Sequence, residues 1–343
     1  MKIVSCVETM TRKSAKGVPD VASAVDSFLS DKSREYAQST LYSYKSRLGH
    51  FVSYCQENDI NDMSEVTPED IDRFKAWRFD SNHALETVKT QLDSLRMFLT
   101  WCEKRQYVSE AVPDVCESPT TRGTQRSDMV HRDRQQAIVE YLEKYKYASL
   151  PHIIISILSH TGLRAGALRG LDIGDVDTAK QSLDIVHRPN FDTPLKNKQN
   201  GERKVAISER VCTILNDYIE TTRHEHKIDG RKPLLTTQHG RISRTALRET
   251  AYRWTQPCQI GQECPHDRDP STCDYTARNH ASKCESSSAT HAFRRGVITA
   301  LLQNNAEEVV GGRCDVTRRT MENHYDMRSK EEKMEKRRES LGI

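Results

Sequence analysis

Near its C-terminus the chain reads THAFRRG from Thr290 and MENHYDMRS around Tyr325, so His291 and Arg294 are followed by a tyrosine in a polar setting. Cutting a phosphodiester without a metal needs four parts: a nucleophile, cations for the charge that builds on the non-bridging oxygens, a base and an acid. Arginine suits the second role, because its planar fork donates two parallel bonds and stays charged at any physiological pH. The rest of the set lies upstream. TGLRAGALRGL supplies Arg164, and the polar segment RPNFDTPLKNKQNGER supplies Lys196 and Lys198, with Lys204 just beyond. Each residue taken singly has a structural alternative: a helix-capping arginine, a core histidine, a half-buried tyrosine. The joint order of the set points to phosphate chemistry.

These residues need elements to hold them. Pro151 opens an apolar helix that Thr161-Gly162 stops, and Leu163 to Leu168 restart one, so Arg164 is expected at a turn between two helices. Alternation of Leu183, Ile185 and His187, and of Val205 and Ile207, predicts paired strands at 182–188 and 203–208, with the lysines on the connecting tip. Helices are expected from Arg134 to Tyr147, at 209–223 and 243–254, and after His291. A catalytic domain over 132–343 would contain all of these.

Ahead of it, 1–20 reads as a leader without periodicity. Residues 21–108 carry helical stripes: Leu41, Tyr44, Leu48, Phe51 and Cys55; then Ile71 and Phe74 behind a Thr67-Pro68 start; then Leu85, Val88, Leu92, Leu95, Leu99 and Cys102. This predicts a compact helical domain whose outward Ser39, Thr40, Tyr42, Ser43, Lys45, Lys89 and Thr90 include side chains able to reach phosphates, or simply a solvated face. Residues 109–131 hold prolines, a glycine and small polar residues, the composition of a linker. The fold class is therefore mainly α with a small β-hairpin or sheet.

Lys+Arg of 52 against Asp+Glu of 49 leaves a net charge of +3, which neither names nor excludes a nucleic-acid partner. No apolar run approaches the roughly twenty residues of a membrane span, and the start lacks a signal-peptide core, so a cytoplasmic protein is expected. In that compartment the ten cysteines are expected reduced, and clusters among them suggest metal before disulfides.

With the arginine of the T-G-L-R turn, the hairpin lysine, the H-x-x-R box and the late tyrosine in this order, the chain resembles the tyrosine recombinase (phage integrase) family over about 134–340. The domain at 21–108 resembles that family's SAM-like core-binding domain. The resemblance implies a site-specific DNA recombinase, or integrase. Tyr325 would attack to form a covalent 3′-phosphotyrosine, Arg164 and Arg294 would clamp the scissile phosphate, His291 would act as base, and Lys196 would be the acid on the leaving 5′ hydroxyl, with Lys198 and Lys204 as alternatives. No cofactor is required for that chemistry. The implied partners are double-stranded DNA, clamped between the two domains, and other copies of the chain as a tetramer on two duplexes, with the charged tail after Tyr325 docking on a neighbour. The family's Gly-His step before the tyrosine is absent; VVGGRCDVTRRTMENHY has Arg313 there, which would replace the missing phosphate contact unless the site is completed differently. That absence is what favours the rival reading, a non-catalytic DNA-binding regulator of the same fold. A zinc-dependent interaction module on a helical scaffold is a third class.

Residues 257–288 lose apolar periodicity and gain Cys258, Cys264, Cys273 and Cys284, with His266 and His280 among them. Four thiolates suit one tetrahedral zinc, either histidine being a substitute, and a loop of this length without a core of its own is a candidate for metal support. The alternative is a reduced insert without metal. The text CPHDRDPSTCDYTARNHASKC resembles an insert in integrases of halophilic archaea.

Overall fold

The computed structural model describes residues 17–120 and 128–342. The chain forms two compact units, 1–124 and 125–343. Among the described residues no helix is long and apolar enough to cross a membrane.

The first unit is helical: α1 (Val21–Lys32), α2 (Gln38–Glu57), α3 (Pro68–Asp80), α4 (Leu85–Glu103) and α5 (Ala111–Val115). Thr67 caps α3 through a reciprocal pair with Asp70, as the Thr-Pro-Glu-Asp start predicts. The apolar stripes meet in one core, where Phe28, Phe51, Phe74 and Phe98 are all buried. Leu85 departs from its stripe and is exposed, because it is the first residue of α4 and lies past the end of the packed face. The expected linker is narrowed from its N-terminal side. Val112 and Cys116 belong to the first core, and the Lys75 ammonium donates to the Val115 carbonyl at 2.9 Å, so 109–116 fold with this unit. The expected leader is also shorter: Asp20 caps α1 and the Met63 amide donates to the Pro19 carbonyl at 3.2 Å. Residues 1–16 and the middle of the remaining linker, 121–127, lie outside the described residues.

The second unit runs α6 (Arg132–Tyr145), α7 (Leu150–Thr161), α8 (Ala165–Gly170), β1 (Val176–Asp177), β2 (Ser182–Ile185), β3 (Arg203–Ala206), α9 (Glu209–Asp217), β4 (Thr236–Thr237), β5 (Gly240–Arg241), α10 (Arg244–Trp254), α11 (Thr290–Asn304), α12 (Glu307–Cys314), α13 (Arg318–His324) and α14 (Lys330–Leu341). The antiparallel order is β1-β2-β3, with Leu183 opposite Val205. Helix α7, buried on nearly every side, is the centre of the core and packs on α6 and α11. The approach of α11 to α6 and the segment before it requires Gly296: a Cβ there would stand 2.0 Å from the Val130 carbonyl oxygen and 2.4 Å from Gln135 Nε2. The close approach lets the Val130 amide donate to the Ala292 carbonyl, and Gln135 Nε2 donate to the carbonyls of Val130 and Phe293.

The stem of the β2–β3 hairpin is held by buried charge. Asp172 receives Arg231 and Arg241, and Asp175 receives both terminal nitrogens of Arg188 at 2.8 and 2.6 Å. Pairing every carboxylate with forked donors is what makes such a cluster tolerable away from water.

Candidate active site

Gly162 ends α7 in the left-handed region, φ 63°, where a side chain would also press on Val297 at 3.2 Å. The reversal sets Arg164 at the N-cap of α8. Its guanidinium forms an ion pair with Asp315, the residue that follows α12. The second oxygen of Asp315 accepts from Asn197 Nδ2 at 2.7 Å, next to Lys196 on the hairpin connection.

Arg294, one turn into α11, is 1% exposed. It donates from Nη1 to the Gly162 carbonyl at 2.7 Å and from Nη2 to the Cys314 carbonyl at 2.6 Å, and its guanidinium carbon stands 5.0 Å from the centroid of the Tyr325 ring. Burial lowers its pKa and Tyr325 opposes that, but an arginine starts so high that the charge stays. Tyr325 closes α13 and is buried in a small core with Ile298, Leu302, Val310, Cys314, Val316 and Met321. Its carbonyl accepts from Thr299 Oγ1 at 2.7 Å, so the tyrosine is tied to the helix that carries His291 and Arg294.

The His291 ring reaches solvent, yet crowding protein and then Arg294, Arg295, Arg164 and Lys196 push its pKa down to about 4. The imidazole is therefore neutral at pH 7 and able to accept a proton. Lys196 is exposed and acts on His291, whereas Lys204 pairs with Asp184 across the sheet at 3.6 Å. Arg164, Lys196, His291, Arg294 and Tyr325 thus share one neighbourhood.

Arg313 is bound differently from what a phosphate contact would require. Nη1 donates to the Ala206 carbonyl at 3.0 Å and Nη2 to the His160 carbonyl at 3.1 Å, so both forks brace β3 against the end of α7. Two residues that the motifs did not mark support the site. Arg203 donates to the carbonyls of Arg313 and Gly201, both at 2.8 Å. Arg295 donates to the His324 carbonyl at 3.3 Å and pairs with Asp128. No local signal marks either, since each is an arginine beside a motif and a partner of each lies more than a hundred residues away.

The four cysteines of the insert are free and half-buried. Burial and then the neighbouring Cys264 and Cys284 raise the pKa of Cys258. Cys273 instead acts on Arg268. Among the described residues, one group of three potential ligand atoms lies mutually within 4.8 Å: those of His266, Cys284 and Glu285. Glu285 is exposed and already takes both forks of Arg268, at 2.7 and 2.8 Å. The base of the insert is clasped where it leaves and re-enters the fold: the Ser288 amide donates to Thr255 Oγ1 at 2.7 Å, and Arg134 donates to the carbonyls of Thr255 and Ser286.

Two family models match this chain: the phage integrase family over residues 129–310, more than half its length, and the phage integrase N-terminal SAM-like domain over 4–106. The chain belongs to the phage integrase family. Tyrosine recombinase XerC of Herpetosiphon aurantiacus is 24% identical to this integrase-family chain over 210 residues, covering 58% of this chain and 62% of that protein. XerC of Listeria innocua is 22% identical, covering 54% and 59%. The matches thus span about three fifths of those relatives' length. Among solved structures, the Tn1549 transposon integrase in complex with transposon right end DNA is 14% identical, covers 94% of this chain and 100% of that one, and superposes with a TM-score of 0.66. A lambda integrase dimer bound to a COC′ core site is 12% identical, covers 90% and 77%, and gives 0.63. At these identities the likeness establishes the fold of the family member.

Proposed function

We propose that this integrase-family chain is a site-specific DNA recombinase that cuts and rejoins double-stranded DNA through a 3′-phosphotyrosine. The observation that carries the reading is that Arg294 lies against the Tyr325 ring while it holds the Gly162 and Cys314 carbonyls, which sets Tyr325 beside the Arg164–Asp315 pair and on the helix that carries His291. The Tyr325 phenol oxygen attacks phosphorus while its proton passes to His291. The bond from phosphorus to the 5′ oxygen breaks, and Lys196 protonates that oxygen. Arg164 and Arg294 balance the charge on the non-bridging oxygens. The reverse sequence, with a second 5′ hydroxyl, restores the phosphodiester and frees the tyrosine, so the bond energy is conserved without ATP. The seat of Tyr325 against its own chain's α11 supports cleavage by each copy's own tyrosine. Arg313 acts as a brace for the hairpin rather than as a phosphate ligand.

The working assembly is four copies on two duplexes, with α14 docking on a neighbour; deleting 329–343 should impair recombination more than single-site cleavage, and equal loss of both would count against that docking. Outward residues of α2 and α4, among them Lys45 and Lys89, contribute phosphate contacts in the first unit, giving salt-dependent affinity. A structural zinc in the insert would be held by Cys258, Cys264 and Cys284, with His266 as the fourth donor in place of Cys273. Thiolate and imidazole donors fit that ion, which would order the insert and take no part in the phosphoryl step.

The test is a nicked duplex built on the sequence the protein enriches from a random pool. Wild type should trap as a covalent adduct and Tyr325→Phe should not. Specific binding by wild type without any adduct would instead support the non-catalytic regulator.

A further inference from the structure

The residue at the middle of the cationic cluster is an acid that no motif marks. Asp315 has a left-handed backbone, φ 53° and ψ 62°, a conformation that aspartate tolerates better than most side chains. The turn points its carboxylate back under the hairpin connection. One oxygen takes Arg164 and the other takes Asn197 Nδ2 at 2.7 Å. The pocket is close-fitting: a Cβ on Gly201 would lie 3.3 Å from Asp315 Oδ2. Arg203, whose guanidinium feels the Asp315 charge, holds the two chain segments on either side through the carbonyls of Arg313 and Gly201.

The ion pair uses one terminal nitrogen of Arg164, and a guanidinium has five N–H donors. Nη2 and Nε remain for a phosphate, so the carboxylate orients the fork instead of consuming it. The second oxygen meanwhile fixes the residue adjacent to Lys196. A long, exposed lysine on a hairpin connection is otherwise poorly localised, and an acid that must reach a leaving oxygen gains from being held in place.

We infer that Asp315 is a positioning residue that joins Arg164 and the Lys196 turn into one unit, so that phosphate clamping and leaving-group protonation are set together. The inference rests on the recombinase reading. It separates from a folding role through the leaving group. A substrate whose scissile 5′ oxygen is replaced by sulfur departs as a thiolate and needs no proton, so it bypasses whatever part of a defect comes from a misplaced acid.

The experiment compares single-turnover adduct formation by wild type, Asp315→Ala, Asn197→Ala, Lys196→Ala and Arg164→Ala on the oxygen and 5′-bridging phosphorothiolate forms of one suicide duplex. Asp315→Ala should slow the oxygen substrate by about 100-fold, in the range for a lost acid-base contribution, and the sulfur substrate at least about tenfold less. Asn197→Ala, an exposed side chain whose removal spares the core, should give a smaller defect that sulfur almost fully relieves, as for Lys196→Ala. Arg164→Ala should be equally impaired on both. An Asp315→Ala defect of equal size on the two substrates, or Asp315→Ala and Asn197→Ala at wild-type rates on oxygen, overturns the inference. Failure of wild type to form any adduct would sink the recombinase reading itself.

Discussion

The guanidinium carbon of Arg294 stands 5.0 Å from the centroid of the Tyr325 ring while its two terminal nitrogens hold the carbonyls of Gly162 and Cys314. One side chain therefore locks the end of α7, the end of α12 and the ring of Tyr325. Removing it in Arg294→Ala deletes two charge-assisted hydrogen bonds and leaves two buried carbonyls unpaired, a loss of about 3 kcal/mol or more. Lysine, a point donor without a fork, should recover less than half of this. Urea denaturation of the two variants measures both losses.

Tyr325→Phe keeps the ring in its apolar seat. Stability should change by about 1 kcal/mol or less. Covalent adduct should vanish while binding to the same duplex, followed by gel shift, remains. Loss of binding together with the adduct would mean the ring packs the fold and does not carry the reaction.

The His291 pKa of about 4 bears on pH in two ways. Adduct formation should be insensitive to protonation of this base from pH 8 down past its ordinary value of 6.5, and should fall only as pH approaches 4. For stability, a histidine whose folded pKa is lowered binds its proton less well folded than unfolded. Its contribution is then complete above about pH 6.5 and is lost as pH falls from there toward 4. His152 and His160, also pushed down to about 4, first of all by burial, act in the same direction. Chemical denaturation at several pH values in that window should show the decline, and His152→Gln, at the wholly buried position, should flatten part of it.

Metal analysis of the purified protein should find about one zinc per chain. Cys284→Ser should remove it and Cys273→Ser should retain it. Chelation should open 257–288 to protease. Loss of zinc in Cys273→Ser with retention in His266→Ala would restore the four-cysteine set.

Gly296→Ala sets a methyl group against the Val130 carbonyl at 2.0 Å. Because the obstacle is backbone, the packing of α11 must shift, at a cost of about 3 kcal/mol. A melting temperature unchanged from wild type would show that the segment around Val130 moves freely.

The parts of the site that were legible in the sequence are those with local punctuation. Thr-Gly ends a helix wherever it sits, which located Arg164, and alternation over a few residues located β2 and β3. Strand β2 ends two residues, and β3 one residue, before its alternation does. Past Ile185 the His187 amide turns to the Glu202 side chain and Arg188 pairs with Thr193, and past Ala206 the Ile207 amide reaches back to the Gln181 carbonyl. Helix α5 read as linker because it is a single turn containing a proline. Asp315, Arg203 and Arg295 were not legible at all. Their partners lie 151, 110 and 167 residues away along the chain, and no periodicity extends over such distances.

The clasp of Thr255, Ser288 and Arg134 has an architectural consequence. Because the two strands of chain are fastened at the neck, and Ile260 and Asn279 are tied further to the main core and to α10, only the exposed far side of the insert, around 269–272, can change length independently of what lies below. Chain can be added to or trimmed from its far side without altering where α11 begins. The fold thus carries a port for new sequence ahead of His291, at a place where growth leaves the start of α11 where it is.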